Sequence, residues 1–453
     1  MSMSETTSNR RHFIRKAAEL GFFAGTIQHA TAEPWSNWSG GQRTQAQSVF
    51  YPSSEADIAP IIHRTQGTLR VVGGGHSFSP LVPTHGTIMS LEAMNGMLDH
   101  DPHNLQATFW AGTRIASASP ALTAIGQGFY NEADINMQSL AGAICTATHG
   151  TGRQLSCLSS YVTHLRLITA QGDVIDCSTE HDNELFQAAR VSLGALGIIT
   201  RITTRNRPAY KLKETVKVMN LDAAMSWVDS HKDRYAHIEF MGFPLGNRAI
   251  VKTLEETQEA DTPVPTPTID ENKLLDLAAN TVRHFPWTNT GLQKLIGFFV
   301  SDSTRVGPSW AIYPSVRAVP FNEMEYELPA EQGLDACQEI IATMRRERLD
   351  VFFPLEFRYV AADDCWLSPF YRRPSVAISV HQYYRQDYHP AFRVLEPIFW
   401  KYQGRPHWGK LNTLGSRQFH ELYPHFSDFI RVQRRIDPQG RMLNSYLRHL
   451  FQA

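Results

Sequence analysis

The chain alternates short apolar runs with glycine-rich turns, and amphipathic stretches lie between them. The runs Leu69 to Val72, Thr87 to Leu91, Ala107 to Ala111 and Val162 to Thr169 have the length and β-branched content of strands. Ile58, Ile61 and Ile62 recur at helical spacing behind Ser54 and Asp57, a capping-box pair, in a helix weakened by Pro60. Short helices separate the strands without a strict strand–helix–strand alternation, so the pattern predicts an α+β fold. Near Thr204 to Tyr210 the segments become longer, more aromatic and more charged. This shift divides the chain into a first domain, 33–207, and a second, 208–453. Glu255 to Lys273, rich in proline, threonine and acids, reads as an exposed loop inside the second.

Composition narrows the partners more than the fold. The 453 residues, 42% of them hydrophobic, are enough for two domains with substantial cores. A net charge of -1 and a pI near 7.0 provide no basic footprint for nucleic acid, so small neutral ligands are the simpler expectation. The five cysteines form no Cys-x-x-Cys pair, and the histidines contain no His-Glu-x-x-His, so no metal site is expected. No apolar run is long enough to span a bilayer. At the N-terminus, Arg10 and Arg11 precede a weakly apolar run and the small-x-small triplet Ala30, Thr31, Ala32. Residues 1–32 resemble a twin-arginine export signal, which would deliver a folded protein to the periplasm or beyond.

Five stretches carry candidate chemistry. The strand-like run at Leu69 leads into Gly73, Gly74, Gly75, His76 and Ser77, where glycine backbone can close on a phosphate and a histidine stands beside it. The nicotinamide fingerprint Gly-x-Gly-x-x-Gly fails, because Phe78 stands where its last glycine belongs. Asn131 to Gly152 is dense in small and hydroxyl residues and contains Ser139, Gly142, Thr146, His149, Gly150 and Gly152. Ser192 to Thr200 adds Gly197 and Ile199. Each alone could be a tight turn in a compact sheet domain; three in one domain favour a dinucleotide-sized ligand. In the second domain, Glu356 and Arg358 share one face of a strand if period two holds, with Phe357 on the other. They could hold a polyol or lactone, or form a surface ion pair. Arg405 to Lys410, reading RPHWGK, crowds an indole, an imidazole and an ammonium beside a glycine, for packing or for a site.

Together these stretches, with FNEMEYELP at Phe321 and DPQGRMLNSYLR at Asp437, resemble the sugar-1,4-lactone oxidases of the vanillyl-alcohol-oxidase class of FAD flavoproteins. The resemblance runs from about Trp35 to the C-terminus. It implies a two-subdomain FAD-binding domain over 33–207 and a cap domain over 208–453 whose sheet covers the flavin, with a C-terminal return to the first domain. It implies FAD contacts from the glycine loop, Ala133, Ser139, Gly142, Thr146, His149, Gly150, Gly152, Gly197, Ile199 and Asn444, and a covalent bond from His76 to the flavin. It also implies hydride transfer from a sugar lactone, with Arg358 and Lys410 orienting substrate and Glu356 binding hydroxyls and assisting proton removal. Electrons would pass to oxygen or to a quinone or cytochrome. His381 leans toward lactone rather than alditol substrates, and Ala133 matches a gate beside the flavin. An alditol oxidase on the same scaffold and a non-catalytic secreted carbohydrate-binding protein are the competing expectations.

Overall fold

The computed structural model describes residues 28–31, 34–263 and 271–452. The twin-arginine pair lies outside the described residues, as does Ala32 of the expected cleavage triplet. The first sheet has four strands, β1 (Gln28–Thr31), β2 (Ser48–Tyr51), β3 (Leu69–Val72) and β4 (Thr87–Ser90), in the order β1-β2-β4-β3. Its three inner pairings are mixed: β4 runs parallel to both β2 and β3, and β1 adds antiparallel at the edge. Helix α1 (Glu55–Arg64) starts at the capping box formed by Ser54 and Asp57 and buries Ile58, Ile61 and Ile62; Pro60 is accommodated inside it.

A second, antiparallel sheet holds β5 (Met97–Asp101), β6 (Gln106–Trp110), β7 (Val162–Ile168), β8 (Val174–Ser178) and β9 (Ile198–Arg205), in the order β8-β7-β9-β6-β5. Between β6 and β7 the small-residue stretch folds into helix α2 (Leu140–Cys145), whose Ser139 cap accepts a hydrogen bond from the Gly142 amide. The two sheets share one large apolar core, which also takes in Phe426, Met442, Leu443, Leu447 and Phe451 from the end of the chain.

The remaining chain builds an eight-stranded antiparallel sheet from β10 (Lys211–Asn220), β11 (His237–Phe243), β12 (Arg248–Glu256), β13 (Ser303–Pro308), β14 (Phe321–Pro329), β15 (Leu355–Val360), β16 (Ser375–Tyr383) and β17 (Arg405–Pro406). Their order is β13-β10-β12-β11-β15-β16-β14-β17. Helices α3 (Gly333–Arg346) and α4 (His389–Lys401) cover one face, meeting Met324, Tyr326, Leu328, Leu355, Phe357 and Ile378 in a separate core. The opposite face carries the polar members of the same strands toward the first two sheets, so every residue of β14 and β16 is buried. The loop expected over Glu255 to Lys273 is shorter than predicted, because a helix begins at Glu271. All five cysteines are free, and no helix among the described residues is long and apolar enough to cross a membrane.

Candidate active site

Strand β3 delivers the chain into the glycine loop, and the loop's approach to its neighbours tolerates no side chain. A Cβ on Gly73 would lie 2.0 Å from Ser139 Oγ, and one on Gly74 would lie 2.7 Å from Met137 O. Gly75 adds a φ of +67°, a conformation costly for other residues. The loop walls an open cleft that is also lined by His76, Ser77, Ser139, Gly142, Thr146, Gly197 and Ile199, with Arg70 and Arg114 as its cations. A backbone cradle with two arginines and a single acid, Glu92, whose burial holds its carboxyl above the usual range, suits a dinucleotide diphosphate.

His76, whose ring stacks on Trp38 with centroids 5.7 Å apart, lines both this cleft and a second cavity. Ser77, Gln138 and Thr146 are likewise shared. The second cavity is polar. Period two on β15 places Glu356 and Arg358 in it while Phe357 enters the core behind. Glu356 is only 7% exposed, so the alternative of a surface ion pair is excluded. Its Oε1 accepts from Arg317 at 3.1 Å and its Oε2 from Arg358. Each oxygen of Glu356 thus holds one guanidinium group, which fixes the carboxylate in the cavity wall. Arg358 is held from behind by Glu239, its partner across the β11–β15 ladder, at 3.2 Å. Burial works against its charge, but Glu356, Glu239 and Asp134 outweigh that and raise it well above the ordinary value.

On the other side of the cavity, Glu323 faces His381 across the β14–β16 register and joins Lys410 from the RPHWGK segment. His381 places Nδ1 2.8 Å from Pro354 O and Nε2 3.4 Å from Glu323. A carbonyl can only accept, so Nδ1 carries a proton and Nε2 is the nitrogen that exchanges one. Burial lowers His381, but the Glu323 carboxylate, with Glu356 and the Pro354 carbonyl, outweighs it and raises His381 above its usual value. Lys410 is raised for the same reason. Asp134, despite burial, is held well below the carboxylate range by Arg317, Arg358 and Lys252. Arg317 reaches Asp134 at 3.1 Å and so ties the first domain to the second at the cavity.

His149 faces this cavity and not the dinucleotide cleft. Its nitrogens meet Gly150 O at 2.8 Å and Glu325 at 3.0 Å. His407 accepts from the Gly409 amide at 3.0 Å through Nδ1, and burial pushes it down to about 3, so it is neutral. Trp408 and Arg405 of the same segment are structural: they donate to Leu367 O and to the carbonyls of Tyr371 and Leu422.

Four expected cofactor contacts line neither cavity. Ala133, 0% exposed, packs in the large core. Gly150 is fitted against Asn131, the Glu132 carbonyl and Tyr313, where a Cβ would come within 2.5 Å of each. Gly152 donates its amide to Tyr359 O at 2.6 Å and seals the domain seam. Asn444 caps the last helix and donates to Pro80 O and Pro83 O, bracing the glycine loop from behind. Conversely, Asp134, Arg317, Glu323 and Glu325 line the cavity and were missed. The alternation of acids at 323, 325 and 327 with Met324, Tyr326 and Leu328 was the available signal for two of them; Arg317 had none.

Residues 202–450 match the family model described as D-arabinono-1,4-lactone oxidase, and residues 46–178 match that of an FAD binding domain. The L-gulono-1,4-lactone dehydrogenase of Mycobacterium tuberculosis is 35% identical over 92% of this chain and 98% of its own. The L-gulonolactone oxidase of Bos taurus is 28% identical over 92% and 97%, and the alditol oxidase of a Streptomyces species 27% identical over 91% and 98%. A solved cholesterol oxidase from Brevibacterium sterolicum superposes with a TM-score of 0.76 over 95% of this chain and 98% of that one, at 15% identity, a likeness of fold.

Proposed function

Because this chain belongs to the D-arabinono-1,4-lactone oxidase family of FAD-dependent oxidoreductases, we propose that it oxidises a sugar 1,4-lactone of the L-gulono, L-galactono or D-arabinono type. The observation that carries the reading is the meeting of the two cavities at His76, with a polar chamber of fixed cations beside the dinucleotide cleft. Bound FAD supplies the hydride acceptor. Arg358, locked by Glu239 and Glu356, and Lys410, locked by Glu323, donate hydrogen bonds that orient the lactone carbonyl and hydroxyls. His381 takes the hydroxyl proton at Nε2 as the hydride leaves the same carbon, with Glu323 behind it to stabilise the imidazolium. We further read His76 as the covalent flavin anchor and residues 1–32 as a twin-arginine signal that exports the folded, flavin-loaded protein. Replacing Arg10 and Arg11 by lysine is expected to trap the protein in the cytoplasm.

The first test is the visible spectrum of purified protein, before and after acid precipitation, followed by anaerobic addition of L-gulono-1,4-lactone or xylitol. Flavin colour that precipitates with the protein, and is lost to the supernatant in His76→Ala, supports the covalent link. Bleaching by the lactone supports the substrate class; preferential bleaching by xylitol would move the protein to the alditol branch. Turnover with oxygen against an artificial quinone then identifies the acceptor.

A further inference from the structure

Arg70 lies in β3 immediately upstream of the glycine loop, is fully buried, and lines the dinucleotide cleft. Its guanidinium makes an unusual set of bonds. Nε donates to Leu81 O at 2.8 Å, Nη1 to Gly194 O at 2.8 Å and to Met442 O, and Nη2 to Leu193 O at 2.7 Å. A guanidinium has five N–H donors, so these bonds leave one on Nη2. All four acceptors are uncharged. Among the described residues no carboxylate forms an ion pair with Arg70; the titratable groups near enough to act on it are the Cys145 thiol and Asp437. The Asp437 carboxylate is itself occupied by the amides of Arg441 and Met442, at 2.9 and 2.7 Å. Burial, only partly offset by Cys145 and Asp437, lowers the guanidinium to about 10.

A buried cation without a counter-ion is costly, and a tie among carbonyls could be made by neutral donors. Retaining a permanent charge in the wall of a cleft makes sense if the ligand brings the opposite one. We propose that Arg70 supplies the counter-charge for the diphosphate of bound FAD and couples that charge to the three segments it binds, at Leu81, at Leu193 and Gly194, and at Met442. Flavin loading then completes an ion pair that the protein alone leaves half-made, and it tightens the C-terminal segment onto the glycine loop. The inference rests on the cleft holding FAD.

The test uses full-length protein carrying His76→Ala, so that flavin is exchangeable, with Arg70→Met or Arg70→Lys added. FAD and riboflavin, which lacks phosphate, are titrated separately; FAD binding by the His76→Ala parent checks the assignment of the cleft on its own. Arg70→Met is expected to weaken FAD by at least ~10-fold, the scale of one charge contact in a partly shielded site, and riboflavin by less than about twofold. Arg70→Lys keeps a charge, but a buried ammonium without a carboxylate loses its proton early. Its FAD affinity should therefore fall between pH 7 and 9 while that of the parent stays level. Equal losses of FAD and riboflavin in Arg70→Met, or unchanged FAD affinity, would overturn the proposal and leave Arg70 as a structural tie. If Arg70→Met does not fold, a pH-independent FAD affinity in Arg70→Lys overturns it equally.

Discussion

At the scale of single residues, the cavity is organised by which groups are already occupied. Arg358 serves Glu239 and Glu356 at once, through Nε and a terminal nitrogen of one planar fork. An ammonium cannot span both. Arg358→Lys is therefore expected to lower kcat/KM for the lactone by about 100-fold, the loss associated with one misplaced charge-stabilising donor, with unchanged flavin absorbance per protein. Steady-state kinetics normalised to flavin would decide it, and a rate within a few-fold of wild type would remove Arg358 from the site. His381 gives the pH dependence. Its value is raised by Glu323 against the effect of burial, and only the form with a free Nε2 can accept the substrate's proton. Lactone kcat/KM should rise with pH through a limb lying above the ordinary histidine value, and His381→Asn should abolish that limb as well as slow turnover. Period-two spacing made Glu356 and Arg358 legible as neighbours from the sequence. It could not show that Arg317, from a loop with no regular pattern, would take one oxygen of Glu356.

At the scale of elements, β14 shows how burial can hide from a pattern. Its acids alternate with Asn322, Met324, Tyr326 and Leu328, the signature of a strand half in water. The acids are buried instead, because their partners come from distant segments: Lys410 and His381 for Glu323, His149 for Glu325. No local rule detects that compensation, whereas β3, β4, β6 and β7, whose runs are apolar throughout or alternate against one core, were read nearly to the residue. Glu327 is the exception within the ladder. Neither of its carboxyl oxygens has a hydrogen-bond partner, and burial together with the Glu325 charge raises it well above the carboxylate range. The native state thus holds a proton that the unfolded chain releases above its ordinary value. Glu327 favours folding fully only in acid, and that contribution is lost as pH rises. Glu327→Gln mimics the neutral acid and should raise the urea midpoint at pH 8 but change it little at pH 4.5. Glu325→Gln, which strips His149 of its anionic partner, should lower it at pH 8. A loss at pH 8 in both variants would show that Glu327 is ionised in the native protein.

At the scale of the whole molecule, the polar cavity depends on how the eight-stranded sheet is seated against the first two, because its lining comes from both. The composition shift near Thr204 marked two regions in the sequence, but the contacts that seat them are pairwise and long-range: Arg317 to Asp134, Gly152 to Tyr359, and Ser309 to Glu132. The last pair makes the seam sensitive to pH. Glu132 is fully buried and accepts from Ser119 of the first domain at 2.9 Å and from Ser309 of the second at 3.1 Å. Burial raises it to about 7, against the two hydroxyls that favour its ionised form. An unfolded glutamate ionises near 4.5, so between that value and about 7 the native protein keeps a proton that the unfolded chain has released. Stability from this group is complete below pH 4.5, falls as pH rises, and has lost about 3 kcal/mol once pH passes 7. Urea midpoints measured from pH 5 to 8 should decline along this course in wild type and follow a flatter course in Glu132→Gln. The variant also isolates the seam from the chemistry, because Glu132 lines neither cavity. If the wild-type and variant curves stay parallel across the range, Glu132 is ionised in the seam, and its two serine hydroxyls compensate for burial more fully than the structure implies.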